Sequence, residues 1–520
     1  MVNGYVQVRL FLVVLFTLLC DWSITPRLFA AKPLNVLIIY ADDMGFGDLA
    51  CQNSDAKLST PHLDRLASQG MRFTDGHSSS GICSPSRFAL LTGQYHWRRQ
   101  HDIVKEMGPS IFRQGDVTIA MLLQQAGYRT GCIGKWHLGW DWNALLKPGA
   151  EKTDLKNTPG MAKPYPVSAY DWSQPIPSGP CSVGFDSYFG DGTINFPPYC
   201  WIENDRVVKA PTETMTVDYL RTRNLQTGEG NWEFRTGPMV DGWNPYEVLP
   251  AIAKKGVEWI HDQNVEHPFF LYFALPSPHA PIIPNDEFVG STNAGAYGDF
   301  VYQTDWVVGQ LLQAIEEKKL ADTTLVIFTS DNGPEHYAFD RLLKYQHASA
   351  GNLRGLKRDV WEGGHRVPFI VRWPGWIKPG TVTEALVSQI DLFATILSAV
   401  DVELPKQVAV DSHDLMPLLL GKAPSQPIRE SLIHNTYPNK WAIRSGDWLY
   451  INASSGEHTK SPEAYNDSRG YIKCRTPGLL FNLKQDVAQR HNLYADQPEM
   501  VNRLKQLLAQ QRSGARTVLE

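Results

Sequence analysis

Three stretches of this chain are too apolar to have a wet side. Residues 34–41 (LNVLIIYA), 269–275 (FFLYFAL) and 324–329 (TLVIFT) are near-continuous hydrophobic runs of strand length. A strand with one face in water alternates polar and apolar residues. One without alternation is covered on both faces, as in a parallel sheet between helix layers. Helical patterns fall between the runs. Thr60-Pro61 opens a helix that stops at Gly70, with a capping residue, Pro at the first helical position and a Gly terminator. Asp116 reads as the cap of another helix running through Ala126-Gly127, residues 299–320 are amphipathic at helical spacing, and residues 367–373 are a further strand candidate. This rhythm predicts an α/β fold with a large, mostly parallel (mixed) sheet sandwiched by helices. Residues 141–200 are rich in Pro and Gly and read as a long insertion over one end of the sheet. Past Gly421 the pattern changes to short strand-like pieces, 441–443 and 448–451, then a final helix over 498–511. That predicts a smaller C-terminal α+β subdomain, an antiparallel sheet plus a helix.

Composition removes several function classes. The 520 residues carry 49 basic and 54 acidic side chains, a net charge of −5, with no dense Lys/Arg run, so nucleic acid is not an expected partner. Arg9 precedes an apolar stretch over residues 10–20, and Ala30-Ala31 offer small residues for cleavage. This is the layout of a secretory signal peptide over residues 1–31. The stretch is shorter than the roughly 18–20 residues that span a bilayer, and no later run reaches that length, so no membrane span is expected. Export to a periplasmic, extracellular or lysosome-like compartment would permit disulfides. Of the seven Cys, Cys181 and Cys200 are the expected pair.

The polar residues fall at informative places. Asp42-Asp43 follow the first apolar run, His279 follows the second after a Pro-Ser-Pro break, and Asp331-Asn332 follow the third. Ligands of open α/β sheets bind outside the carboxyl ends of the strands. Asp42, Asp43, Asp331 and Asn332 together form an oxygen-donor set suited to Ca²⁺ or Mg²⁺ rather than Zn²⁺. Cys83-Ser84-Pro85-Ser86-Arg87 leads from a loop into a helix, so Cys83 is expected at a helix N-terminus, where backbone N–H groups favour an anion.

The string Cys83 to Gly93, Cys-x-Pro-Ser-Arg followed by Leu-Thr-Gly, resembles the signature of the type I, formylglycine-dependent sulfatases of the alkaline-phosphatase superfamily. The resemblance continues through Ala41-Asp42-Asp43-Met44-Gly45, Gly134-Lys135-Trp136-His137-Leu138-Gly139, Gly184-Phe185-Asp186 and His279-Ala280-Pro281. It runs on through Thr329-Ser330-Asp331-Asn332-Gly333, Gly355-Leu356-Lys357, the segment Glu362 to Pro368, and Leu480-Phe481-Asn482-Leu483. The order is that of the family. The resemblance implies a catalytic sulfatase domain over residues 32–421 and a C-terminal subdomain over 422–520. It implies that Cys83 is oxidised to formylglycine by a formylglycine-generating enzyme, and that one Ca²⁺ binds Asp42, Asp43, Asp331 and Asn332 beside the modified Cys83. The aldehyde hydrate would attack sulfur with one hydroxyl and expel sulfate through the other. Arg87, Lys135 and Lys357 would hold the diol and metal shell or clamp the sulfate. His137 would be the base that releases sulfate, and His279 the acid that protonates the departing alcohol.

Outside that set the readings are structural. Arg366 is expected to pair with Glu362 at the sheet edge, and His336, Tyr337, Arg341 and His347 to serve the fold rather than the substrate entrance. The segment around residues 278–312 is most similar to the arylsulfatase A and N-acetylgalactosamine-6-sulfatase branch. That branch implies sulfated carbohydrate fragments as substrate, with aryl sulfates as surrogates. Two alternatives stand beside this reading: a phosphonate or phosphate ester hydrolase of the same superfamily, and a non-catalytic binder of anionic glycans.

Overall fold

A computed structural model of the chain describes residue 1 and residues 34–155, 163–216, 234–264, 266–422 and 426–514. The expected leader therefore lies, Met1 apart, outside the described residues. Among those described, no helix is long and apolar enough to cross a membrane.

The three apolar runs become the strands Asn35–Ala41, Phe269–Ala274 and Thr324–Ser330, with every residue buried. Asn35–Ala41 lies between the other two and runs parallel to both. Arg129–Lys135 pairs parallel with Phe269–Ala274, and Ser187–Gly192 extends the parallel block. Antiparallel strands flank it on both sides, Phe369–Arg372 against Thr324–Ser330 and Ile202–Glu203 against Ser187–Gly192. The whole is a ten-stranded mixed sheet. A separate four-stranded antiparallel sheet, Ser431–Asn435, Trp441–Ser445, Trp448–Ile451 and Leu479–Asn482, forms toward the C-terminus. Helix Pro498–Ser513 packs on it through the apolar Val501, Leu504 and Leu508, spaced three and then four residues along one face.

Several local expectations need correction. The helix expected from Asp116 is Ile119–Gln125. Its cap is Thr118, whose hydroxyl accepts from the Met121 N–H, while Asp116 binds Arg99 and the Arg113 N–H. The long amphipathic helix is Gly295–Glu317 and starts before Asp299. The Asp299 carboxylate instead ties down the preceding loop through the N–H groups of Gly290 and Thr292. The Pro/Gly-rich insertion contains the strand Ser187–Gly192, whose SYFGDG sequence has no strand signature of its own. Cys181 and Cys200 are both free. Cys181 precedes that strand, whereas Cys200 lies two residues before Ile202, which pairs with Gly190 near the strand's far end. The two thiols are thus held at opposite ends of one element.

Candidate active site

The first contributor is the carboxyl end of Asn35–Ala41, where Asp42 and Asp43 leave the sheet. Asp43 adopts a left-handed backbone at φ 63, a conformation uncommon outside Gly. Its N–H donates to Asp331 Oδ1 at 3.3 Å, joining the ends of two adjacent strands. Lys135 arrives through a distortion. The register against Ser187–Gly192 shifts between Ile133 and Lys135, and Gly134 sits at φ 101, where a Cβ would stand 2.0 Å from the Ala274 carbonyl oxygen. Only Gly fits there, and the bulge re-aims Lys135 inward. His137, at φ 51, is also left-handed. Helix Cys83–Thr92 places Cys83 in its first turn and Arg87 one turn on, and ends at Gly93 with φ 64.

All ten residues expected in the site are buried, the most exposed being His137 and His279 at 6%. Donor atoms of Asp42, Asp43, Cys83 and His279 lie within 4.8 Å of one another. Around them the charges are paired. Lys135 Nζ is in contact with Asp42, and Arg87 binds Asp331 Oδ2 through Nε at 3.1 Å and Nη2 at 2.8 Å. Lys357 Nζ lies 2.8 Å from Asp43 Oδ1 and 3.5 Å from Glu335 Oε2. Asn332 Nδ2 donates to Asp43 Oδ1 at 2.6 Å. His279 Nε2 stands 3.7 Å from Asp43 Oδ2, and Cys83 Sγ 3.6 Å from Asp42 Oδ1.

Electrostatics give the cluster its character. Burial alone would raise the Asp42 pKa, but Lys135, His279, Arg87 and Lys357 overcome it and hold this carboxyl well below the usual range. Burial and the neighbouring Asp42 push Asp331 up to about 7 despite Arg87. Crowded carboxylates of this kind invite a further positive charge. The Asn332 Oδ1, buried and without a partner among the described residues, adds a neutral oxygen to the same donor set. Three carboxylates and an amide oxygen fit a hard divalent cation, and Ca²⁺ suits them. Burial also raises the Cys83 thiol well above its ordinary value, Lys135 and Lys357 notwithstanding, so the residue as cysteine is a protonated, weak nucleophile. Burial, then Lys135, lowers both His137 and His279.

His137 Nε2 is anchored 3.0 Å from the Val104 carbonyl, while its buried Nδ1 has no partner among the described residues. Ser84, one residue after Cys83, accepts from the Val104 N–H at 3.0 Å and donates to the His137 carbonyl at 2.7 Å. The sequence reading passed over Ser84, although its place beside Cys83 was a usable signal. It also passed over Glu335, which holds Lys357 and Arg358, and Gln389, which links Tyr40 to Thr329 at the ends of neighbouring strands. A cavity of about 570 Å³ opens over Cys83, His137, His279 and Lys357, with Arg235 and Tyr437 among its walls. Arg366 does pair with Glu362, at 3.3 Å. His347 binds Asp48 at 2.7 Å, Arg341 lies over the Tyr297 ring, and neither these two nor His336 and Tyr337 line the cavity.

Fold and site thus define an α/β protein with a buried cluster of carboxylates, cationic side chains and imidazoles at the carboxyl ends of its central strands. The chain belongs to the sulfatase family, the hydrolases of sulfate esters: the sulfatase family model matches residues 34–402. A model described as N-sulphoglucosamine sulphohydrolase, C-terminal, matches residues 356–514. An N-acetylgalactosamine-6-O-sulfatase of Bacteroides thetaiotaomicron is 35% identical, covering 92% of this chain and 92% of that protein. Human arylsulfatase A is 32% identical over 93% of this chain and 89% of its own length. A solved structure from work on glycosaminoglycan metabolism by Bacteroides thetaiotaomicron aligns with TM-score 0.76 at 30% identity, covering 93% of this chain and all of the other. Within the family the chain sits in the arylsulfatase A and N-acetylgalactosamine-6-sulfatase branch.

Proposed function

We propose that this sulfatase is exported and removes sulfate from sulfated sugars and polysaccharide fragments, with formylglycine made from Cys83 and one Ca²⁺ held by Asp42, Asp43, Asp331 and Asn332. The observation that carries the reading is the placement of Cys83, buried in the first turn of its helix, within a crowd of carboxylates and cations and beside the cavity. A thiol kept protonated there has no evident use as a thiolate, whereas an oxidised side chain at the same position would face both the cation site and the cavity. Bound there, the ion and the aldehyde hydrate would supply Lewis acidity and the attacking oxygen.

The protein's own groups supply the rest. Lys135, Lys357 and Arg87 face the place where negative charge grows and are already oriented by Asp42, Asp43 and Asp331. His137, with Nε2 tied to Val104, has Nδ1 open to take a proton. His279 Nε2 faces the cluster and is positioned to give a proton to the departing alcohol. Burial and Lys135 lower its pKa, and the negative charge of an arriving sulfate would favour the protonated imidazole. Sugar recognition falls to the outer cavity, where Asn195, Arg235 and Tyr437 present polar groups. Named sugar substrates among the relatives support the substrate class. The expected leader supports export, the change in pattern after residue 421 supports a division there, and maturation calls for a formylglycine-generating enzyme as partner.

Mass spectrometry of the Cys83 peptide from protein made in its native host tests the reading. The expected result is an aldehyde in place of the thiol. An active preparation with an intact thiol overturns it. Matched aryl sulfate and aryl phosphate rates test the chemistry, and a preference for phosphate would reverse it.

A further inference from the structure

A second buried cluster lies away from the site described above. His77 and Glu362 are 0% exposed, His365 and His434 1%, and one donor atom from each falls within 4.8 Å of the others. The four residues come from three separate segments: the short strand Gly76–His77, the single helical turn Glu362–His365, which supplies two, and the first strand of the C-terminal sheet, Ser431–Asn435.

The outward nitrogens of two imidazoles are spoken for. His77 Nε2 faces Asp75 Oδ1 at 2.8 Å, and His365 Nε2 faces the Val360 carbonyl at 3.4 Å. Both partners accept only, so each Nε2 carries the proton and each Nδ1 presents a lone pair. Those two Nδ1 atoms point at one another across 3.0 Å. Lone pairs facing at that distance need a positive centre between them, either a proton shared as an N–H···N hydrogen bond or a metal ion. Two nitrogens on one tetrahedral zinc, each about 2.0–2.1 Å from it, stand about 3.3 Å apart, a few tenths of an ångström wider than this gap. His434 adds two buried nitrogens, and Glu362 a buried Oε1, none with a partner among the described residues. Such orphaned groups are rare in a folded interior and call for an ion or ordered water.

The surroundings have the form of an outer shell. Asp75 behind His77 makes the carboxylate–histidine pair that orients metal-bound imidazoles. Arg444 and Arg366 bind Glu362 through Oε2, at 3.1 and 3.3 Å, and leave Oε1 free. The two arginines balance Asp75 and Glu362, so a cation would be held by imidazole lone pairs rather than by net negative charge. That excludes Ca²⁺ and Mg²⁺ and favours a late first-row metal. His434 stacks on His365 with ring centres 3.6 Å apart and must turn out of that stack to offer a nitrogen in plane; no hydrogen bond resists the turn.

We propose that His77, Glu362, His365 and His434 form a structural zinc site that joins the C-terminal sheet to the segment leading into Cys83. The Ser78 N–H donates to the His365 carbonyl at 2.8 Å, so the joint lies five residues from the nucleophile.

The test uses the full-length protein in excess Ca²⁺, which keeps the carboxylate site occupied. Elemental analysis is expected to find about one zinc per chain, lost to phenanthroline with a fall in melting temperature that Zn²⁺ reverses and further Ca²⁺ does not. Refilling with Co²⁺ should give the strong visible absorption of a four-coordinate, imidazole-bound ion. His365→Gln and His434→Gln should each abolish that absorption. A wild type with neither a late first-row metal nor a Co²⁺ band, even at saturating Co²⁺, overturns the proposal and leaves a water-filled hydrogen-bonded joint. A band that survives both substitutions overturns it as well. The wild-type measurement stands even if the variants fail to fold.

Discussion

The two buried polar clusters of this protein are built from opposite materials. At the sheet edge the donors are carboxylates, and Lys135, Lys357 and Arg87 already pair with them, leaving one orphan oxygen on Asn332. At the C-terminal joint three of the four donors are imidazoles, with two Nδ1 atoms facing each other at 3.0 Å and three orphaned atoms among the described residues. The first arrangement concentrates positive charge around a cavity, which suits an anionic substrate and a reaction that develops negative charge. The second faces no substrate cavity and ties separate segments together. Charge pairing within reach of a cavity marks chemistry, and unpaired donors within the core mark a joint. Substitutions can break that contrast if the effects on turnover and on stability fail to separate.

The largest separation is expected at Cys83. Cys83→Ala should lower kcat/KM by at least about 10⁴-fold, as removal of a covalent nucleophile does elsewhere. The same change should shift unfolding free energy by only about 1 kcal/mol, because a small buried side chain is replaced by a slightly smaller one. Aryl sulfate kinetics and chemical denaturation measure the two. A comparable collapse of stability would make Cys83 a packing residue. His279→Ala comes next, with a loss of about 10²–10⁴-fold on sugar sulfates whose alcohol needs a proton. An aryl sulfate with a good leaving group should lose far less. Equal losses on both substrates would take the acid role from His279.

Asp331→Asn should act on both axes through the cation. It keeps the shape and an oxygen facing Arg87 but removes a charge, so metal affinity or activity should fall by more than the about 10–100-fold that losing a group merely supporting a ligand costs. Wild-type protein in Ca²⁺ at 100 times Kd should gain roughly 2.7 kcal/mol of stability over chelated protein, and the variant should gain less at the same concentration. Identical calcium-dependent melting shifts would remove Asp331 from the metal site. Here the difference between the clusters sharpens, because Ca²⁺ should stabilise through the carboxylates and leave the imidazole joint untouched.

What the sequence disclosed follows the same division. Apolar runs without alternation gave the central strands, and acidic or amide residues directly after them gave Asp42, Asp43, Asp331 and Asn332, because a strand end transmits its sequence position to a place in space. The Thr60-Pro61 start and Gly70 stop gave the helix Pro61–Gln69 for the same local reason. Ser187–Gly192 was hidden because its Gly and Asp residues lack strand propensity, and its neighbours in the sheet decide its conformation. The left-handed backbones of Asp43 and His137 are likewise imposed by tertiary contacts. The histidine joint was invisible because its members are separated by up to 357 positions, 77 to 434, and each on its own reads as an ordinary buried imidazole.

Ser84 offers the smallest and most discriminating effect. Its hydroxyl accepts from Val104 and donates to the His137 carbonyl, so it fixes both the backbone of His137 and the carbonyl that anchors its ring. Ser84→Ala leaves the Val104 N–H buried without its acceptor, at about 1–3 kcal/mol of stability. Freed from that tie, His137 should lose alignment with the reacting centre while every catalytic group remains present. Turnover should therefore fall by about tenfold, with KM nearly unchanged, a pattern expected when geometry rather than binding is disturbed. Crystallography of the variant should show the His137 ring displaced while Asp42, Asp43 and Asp331 stay in place. If kcat stays at the wild-type value while stability drops, Ser84 belongs with the structural joint and His137 holds its place without it.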